Sequence, residues 1–138
     1  MEWNKNKLLK KERMNSIASF LDGKVIKTSD IVEVLNRVIK PGDNLILEGD
    51  NQKQASFLAK AMTKVNPNDV HDIHLIIPSI SRDEHLDLFE KGIASLIDFA
   101  FAGTQSLRLS QMMNSGVCKV GAIHTYFELY ASLFVALI

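Results

Sequence analysis

The sequence predicts an open α/β fold: a mostly parallel sheet with helices on both faces. Three observations carry this expectation. Short apolar runs alternate with amphipathic segments along most of the chain, the pattern of parallel strands joined by covering helices. Each apolar run is closed by a turn rich in Gly, Pro, Asn or Asp. The 138 residues, 46% hydrophobic and 23% charged, are enough for one core.

The first dozen residues are basic, through Lys5, Lys7, Lys10, Lys11 and Arg13. They lack the apolar centre of a secretory signal, so residues 1–25 are expected to be a solvated, partly frayed helical extension and 26–138 the α/β domain. A helix is expected between Asp30 and Ile39. Asp30 and Glu33 have the spacing of a capping box, Ile31, Val34, Leu35 and Val38 share one face, and Pro41-Gly42 follows as a stop. Asn44–Glu48 reads as a buried strand. A helix from about Asn51 to Val65 would place Leu58, Ala61, Met62 and Val65 on one side.

The same unit then recurs. Val70–Ile77 is expected as a strand broken by Pro78, Asp83–Lys91 as a helix, and Leu96–Phe101 as a strand. Gly103 opens a turn into a helix carrying Leu107, Met112 and Met113, which Gly116 ends. Lys119–Ile123 is a strand, and from Tyr126 to Leu137 an apolar face runs over three helical turns. An apolar helix at the end of the chain points to a covering partner or to a truncated chain.

Composition narrows the function. Sixteen basic residues balance sixteen acidic ones, so no global field draws in nucleic acid or an anionic membrane. No apolar run reaches the length of a membrane span, and the single cysteine, Cys118, fits a reducing compartment; a cytoplasmic location is expected.

Ligands of open α/β sheets bind beyond the carboxyl ends of the strands. That rule selects the turns at Glu48–Gln52, Pro78–Asp83, Ala102–Gln105 and Gly121–Tyr126. The first has one glycine, Gly49, and matches neither a dinucleotide fingerprint nor a Walker loop. Asp50 would repel a phosphate there, whereas Asn51, Gln52 and Gln54 suit an amide or thioester.

His71 and His74, three apart on a strand, are expected on opposite faces and unable to share a metal, and no metal site is expected elsewhere. His85 should be solvated or capping. His124, at a strand end beside Thr125, is a candidate to polarise a carbonyl or act as a base, although a simple backbone contact is the commoner role of such a histidine. Glu48 is the best-placed strand-end carboxylate, and Glu128 is either a functional acid or a helix-surface residue. Cys118 reads as an idle thiol, and Met62, Met112 and Met113 as core.

The stretches "FLDGKVI", "LEGDNQKQASFLAKA", "VHDIHL", "EHLDLFEKGIASLIDFAFAGTQSLR" and "GAIHTYFELYASLFV" closely resemble the N-terminal part of the malonate decarboxylase alpha subunit. The resemblance implies a CoA-transferase-like N-terminal domain, here apparently truncated. It implies acyl-carrier-protein transferase activity: the carrier thiol passes from an acetyl thioester to malonate, giving malonyl-carrier protein and acetate, in a biotin-independent decarboxylase. The implied partners are the acyl carrier (delta) subunit, the beta and gamma decarboxylase subunits, and malonate. The chain itself would bind no cofactor; a phosphopantetheine-type, dephospho-CoA-like arm on the carrier is the substrate.

Family members are longer and react in a cleft between two domains, so this chain alone is expected to be inactive and to supply one wall. Gly49, Asp50, Asn51 and Gln52 would position the thioester and offer backbone amides to its oxyanion; Gly103, Gln105 and Tyr126 would line neighbouring turns. On this basis Gly49→Val should cut transfer and spare the fold. The competing expectation is a non-catalytic assembly domain, or a decayed fragment, that binds partner subunits or a second copy through its apolar C-terminal helix.

Overall fold

A computed structural model describes residues 2–49, 55–125 and 128. Four strands form one parallel sheet in sequential order: β3 (Asn44–Ile46), β4 (Ile73–Ser79), β5 (Ala94–Phe101) and β6 (Lys119–Ile123). A two-stranded hairpin, β1 (Leu21–Asp22) and β2 (Val25–Ile26), precedes it. The two-residue turn between them, Gly23-Lys24, opens on Gly23 at φ 63, the first-position glycine that such hairpin turns favour.

The helices are α1 (Glu2–Ser16), α2 (Ile31–Val38), α3 (Ser56–Met62), α4 (Asp83–Glu90) and α5 (Ser106–Asn114). The fold is therefore the expected class, a parallel sheet flanked by helices. The apolar C-terminal segment and the start of the Asn51–Val65 helix lie outside the described residues.

Strand parity builds the core. Ile73, Leu75 and Ile77 of β4 and Ile97 and Phe99 of β5 point to one face, where they join Ala59, Met62, Leu86, Leu88, Phe89, Leu109 and Met112 from α3, α4 and α5. The alternate residues Ile46, His74, Ile76, Leu96 and Asp98 point the other way and are half-buried or exposed. One face is thus apolar, and the other carries the sheet's polar side chains.

Several local expectations are corrected. Pro78 does not break β4, which continues to Ser79. Pairing with β3 ends at Ile46↔Ile76, and the β5 register passes from Ile77↔Phe99 to Ser79↔Phe101, so the missing N–H of Pro78 leaves no ladder partner unmet. Asp30 makes no side-chain cap; its carboxylate accepts from Ser29 Oγ at 2.8 Å, while Glu33 pairs with Arg37 at 2.7 Å. Leu58, Leu107 and Met113 are exposed, leaving Leu109 and Met112 as the buried face of α5.

Two polar devices tie the layers together. At the amino end, Arg13 of α1 donates to Asp43 Oδ2 at 2.6 Å, and the same oxygen accepts from the Lys40 N–H at 2.9 Å just before β3. Between α4 and α5, Arg108 donates to Asp87 Oδ1 (2.7 Å), to Glu90 (3.3 Å from Nε) and to the Asp83 carbonyl (3.1 Å). This forked geometry needs a planar guanidinium. Arg108→Ala is expected to lower stability by about 1 kcal/mol, and Arg108→Lys to recover only part of that loss. Urea melts of the three proteins check this, and a lysine variant as stable as the parent would show that the fork adds nothing.

Candidate functional site

The carboxyl ends of β4 and β5 and the residues that follow them enclose a crevice of about 300 Å³, lined by Ser79, Ile80, Ser81, Phe101, Gly103 and Thr104. Its position obeys the rule for open parallel sheets. β4 enters the crevice wall through Ile80, whose N–H donates to the Phe101 carbonyl at 2.8 Å. Gly103, at φ 54, turns the chain after β5 close beneath the Phe101 ring. The lining combines hydroxyls and one half-exposed aromatic ring, groups that suit a neutral amide or thioester chain.

Gly49 forms the neighbouring corner. Ser81 Oγ donates to the Gly49 carbonyl at 2.8 Å, which ties the end of the β3 segment to the end of β4. Gly49 is buried, and a Cβ there would overlap the Ser79 carbonyl oxygen and lie 2.6–2.7 Å from Ile77 Cδ1 and Cγ1. The expectation that Gly49→Val would spare the fold is overturned: backbone and core occupy that space.

The remaining candidates divide. Gly49 and Gly103 are brought to the same end of the sheet. Gln105 turns away, its Nε2 donating to Asp83 Oδ1 at 2.6 Å. Glu48 is exposed, and its backbone carbonyl accepts from the Ala55 N–H at 3.2 Å. Asp50, Asn51, Gln52 and Tyr126 lie outside the described residues. Glu128 accepts from both the N–H and Oγ1 of Thr125 at 2.9 and 3.0 Å and donates its own N–H to Thr125 Oγ1 at 3.2 Å. That reciprocity is a capping box, and the Thr125 N–H, then its hydroxyl, holds the Glu128 carboxyl below its usual range.

His124 belongs to a group not expected as a unit. On the polar face of the sheet, Asp98 of β5 stands between His74 of β4 and His124 after β6. Asp98 Oδ1 lies 3.1 Å from His74 Nε2, off the line of a hydrogen bond, and Oδ2 lies 3.5 Å from His124 Nε2. The register shifts by one residue between Ile97 and Asp98, and Asp98 Oδ1 accepts the Ala122 N–H at 2.9 Å. Gly121 makes room, since a Cβ on it would collide with Asp98 Oδ1.

His71 precedes β4 and pairs with Asp72 at 2.8 Å instead. Among the described residues, no group of three His, Cys, Asp or Glu side chains is placed to hold a metal ion. The Cys118 thiol is buried, and burial pushes its pKa up to about 11, leaving it unreactive near neutrality.

Ser81, Thr104, Phe101 and Asp98 were not singled out from sequence. Asp98 had a signal: a lone charge inside the apolar run "SLIDFAF" needs a partner if it is half-buried. Ser81 had none beyond its place in a strand-end turn.

Residues 2–138 match the family described as "Malonate decarboxylase, alpha subunit, transporter". The chain belongs to the malonate decarboxylase alpha subunit family. It is 38% identical over 136 residues to the acetyl-S-ACP:malonate ACP transferase of Malonomonas rubra, covering 98% of this chain and 24% of that protein. The malonate decarboxylase alpha subunit of Acinetobacter baumannii is 52% identical, with a TM-score of 0.94 over 98% of this chain and 25% of its own. A Pseudomonas malonate decarboxylase hetero-tetramer in complex with malonate matches at 47% identity and a TM-score of 0.94, over 99% and 25% of the two chains. The chain thus spans about a quarter of the length of these relatives.

His85 contradicts its expected solvated or capping role. It is fully buried in α4 and neither ring nitrogen has a hydrogen-bond partner. Burial lowers its pKa from 6.5 to about 4, against a smaller upward pull from Glu84 and with a minor lowering by Arg82.

Gly49→Ala should lower stability by about 2 kcal/mol or more through overlap with backbone, read as a fall in urea midpoint; an unchanged midpoint would show that the strand end can move aside. The unfolded His85 binds a proton below pH 6.5 that the folded one refuses until about pH 4. Stability is therefore lost as pH falls through that window, by up to about 3 kcal/mol. His85→Leu should gain on the parent more at pH 5 than at pH 7, and an equal gain at both would mean that the imidazole titrates normally.

Proposed function

We propose that this chain forms one wall of an acyl-transfer site in which an acyl carrier thiol passes from an acetyl thioester to malonate, yielding malonyl-carrier protein and acetate. What supports this is that 98% of the chain aligns, at 38% identity, with a protein named for that reaction. The strand-end crevice agrees with it: Ser81, Thr104 and Phe101 offer two hydroxyls and a ring to a chain of amides ending in a thioester.

In this reading the carrier's phosphopantetheine-type arm enters beside Phe101 and over Gly103. Gly49 is an anchor, held by Ser81, and the backbone amides of residues 49–52 are the donors this reading assigns to the charge that develops on the thioester carbonyl. The carrier protein and the decarboxylase beta and gamma subunits are the partners this reading assigns. The related Pseudomonas protein is a hetero-tetramer crystallised with malonate. The other wall, and the group that reacts, come from sequence beyond this quarter, so the chain alone should be inactive.

The test grafts residues 2–138 in place of the matching quarter of the Acinetobacter subunit and assays acetate release from acetyl-carrier protein and malonate. Transfer is expected within about tenfold of the parent, and Ser81→Ala in the graft should lower kcat/KM by about a further tenfold, the scale of one lost hydrogen bond. A folded graft with no transfer would rule the reading out.

A further inference from the structure

We infer that Asp98 is a positioning residue that orients His124 toward the carrier arm, an inference that rests on the acyl-transfer reading above. An aspartate inside an apolar strand pays a desolvation cost that the Ala122 N–H only partly offsets. The fold keeps space for it with Gly121, whose missing Cβ is where Oδ1 sits, and with a one-residue register shift in the adjoining strand. The side chains of Asp98, His74 and His124 are 16%, 24% and 20% exposed, so each is mostly sheltered from bulk water without being sealed off.

Each oxygen of the carboxylate faces a different imidazole. His74 Nε2 is 3.1 Å from Oδ1, and His124 Nε2 is 3.5 Å from Oδ2, a length that such pairs shorten once substrate is bound. A carboxylate facing Nε2 selects the tautomer with its proton there. His124 Nδ1 then carries a lone pair.

His124 is also anchored at the end of the sheet where ligands bind, because its N–H donates to the Phe99 carbonyl at 2.8 Å. From there Nδ1 accepts a hydrogen bond from an N–H or S–H of the pantetheine-type arm. Asp98 acts on the arm only through His124.

Imidazole ¹⁵N–¹H correlation spectra of the 138-residue chain test this without an activity assay. The wild-type His124 should be mainly the Nε2–H tautomer, and Asp98→Asn should shift it toward a mixture, while Asp98→Glu should restore it. Free pantetheine should move the His124 Nδ1 signal in the wild type and not in Asp98→Asn. A wild-type His124 protonated at Nδ1 overturns the inference even if no variant folds. So does a tautomer indifferent to Asp98→Asn. Pantetheine that moves the amides of Ser81, Gly103 and Thr104 but leaves His124 unchanged overturns this inference alone, whereas pantetheine that moves neither group overturns the acyl-transfer reading with it.

Discussion

The contact between Gly49 and the end of β4, with no Cβ between them, is the constraint on which the carboxyl end of the sheet depends. β3 pairs with β4 over three residues only, Asn44 to Ile46, with further backbone bonds at Asp43 and Leu47. Beyond Leu47 the two segments stay together because Gly49 lies against Ile77 and the Ser79 carbonyl, and because Ser81 Oγ reaches back to the Gly49 carbonyl. A larger residue would separate the segments and open the crevice wall. A glycine here serves close approach of backbones rather than an unusual dihedral.

The two ends of the sheet are organised by different physics. At the amino end, Asp43 collects a guanidinium from α1 and the Lys40 N–H, and Gly42 bonds to His71. Those groups answer one another locally. At the carboxyl end, hydroxyls of Ser81 and Thr104 and the ring of Phe101 border open space. Parallel strands make this difference natural, since the turns leaving the strands face the start of the following helices. The helical side is a dry, apolar layer in which even His85 remains neutral, whereas the opposite face carries Asp98 and its two imidazoles.

Much of this was legible in the sequence. The four parallel strands and the helices α2, α4 and α5 follow from apolar runs bounded by breakers, and β6 begins and ends at the residues expected. What escaped was decided by tertiary contacts. Pro78 reads as a breaker in isolation, yet the register of β4 happens to require no N–H from it. Leu107 and Met113 match an apolar stripe on paper, but the side of α5 that meets the sheet is the one bearing Leu109 and Met112. The Asp30 cap failed because Thr28–Asp30 is already a 3-10 turn, so Asp30 has helical backbone angles (φ −97, ψ −7) in place of the extended ones a capping residue uses. In the site, the glycine and the strand-end turns could be found by rule, whereas Ser81 acquires its role from a residue 32 positions away.

The polar face gives a reason for the spacing of Asp98, Gly121 and His124. In a parallel sheet, residues that share a face on adjacent strands are neighbours whatever their distance in sequence. His74 and Asp98 lie on one face because Leu96 pairs with His74, and Asp98 stands two residues further along its strand. His124 reaches the same carboxylate only because β6 contains one residue more than β5 between the paired positions 97↔120 and 98↔122. Without that extra residue, the side chains after Val120 would fall on the opposite faces. Gly121 is the residue inserted, and it is also the one whose missing side chain admits the carboxylate. A single glycine thus resets the register and opens the space, which couples the last strand of the sheet to the histidine that follows it.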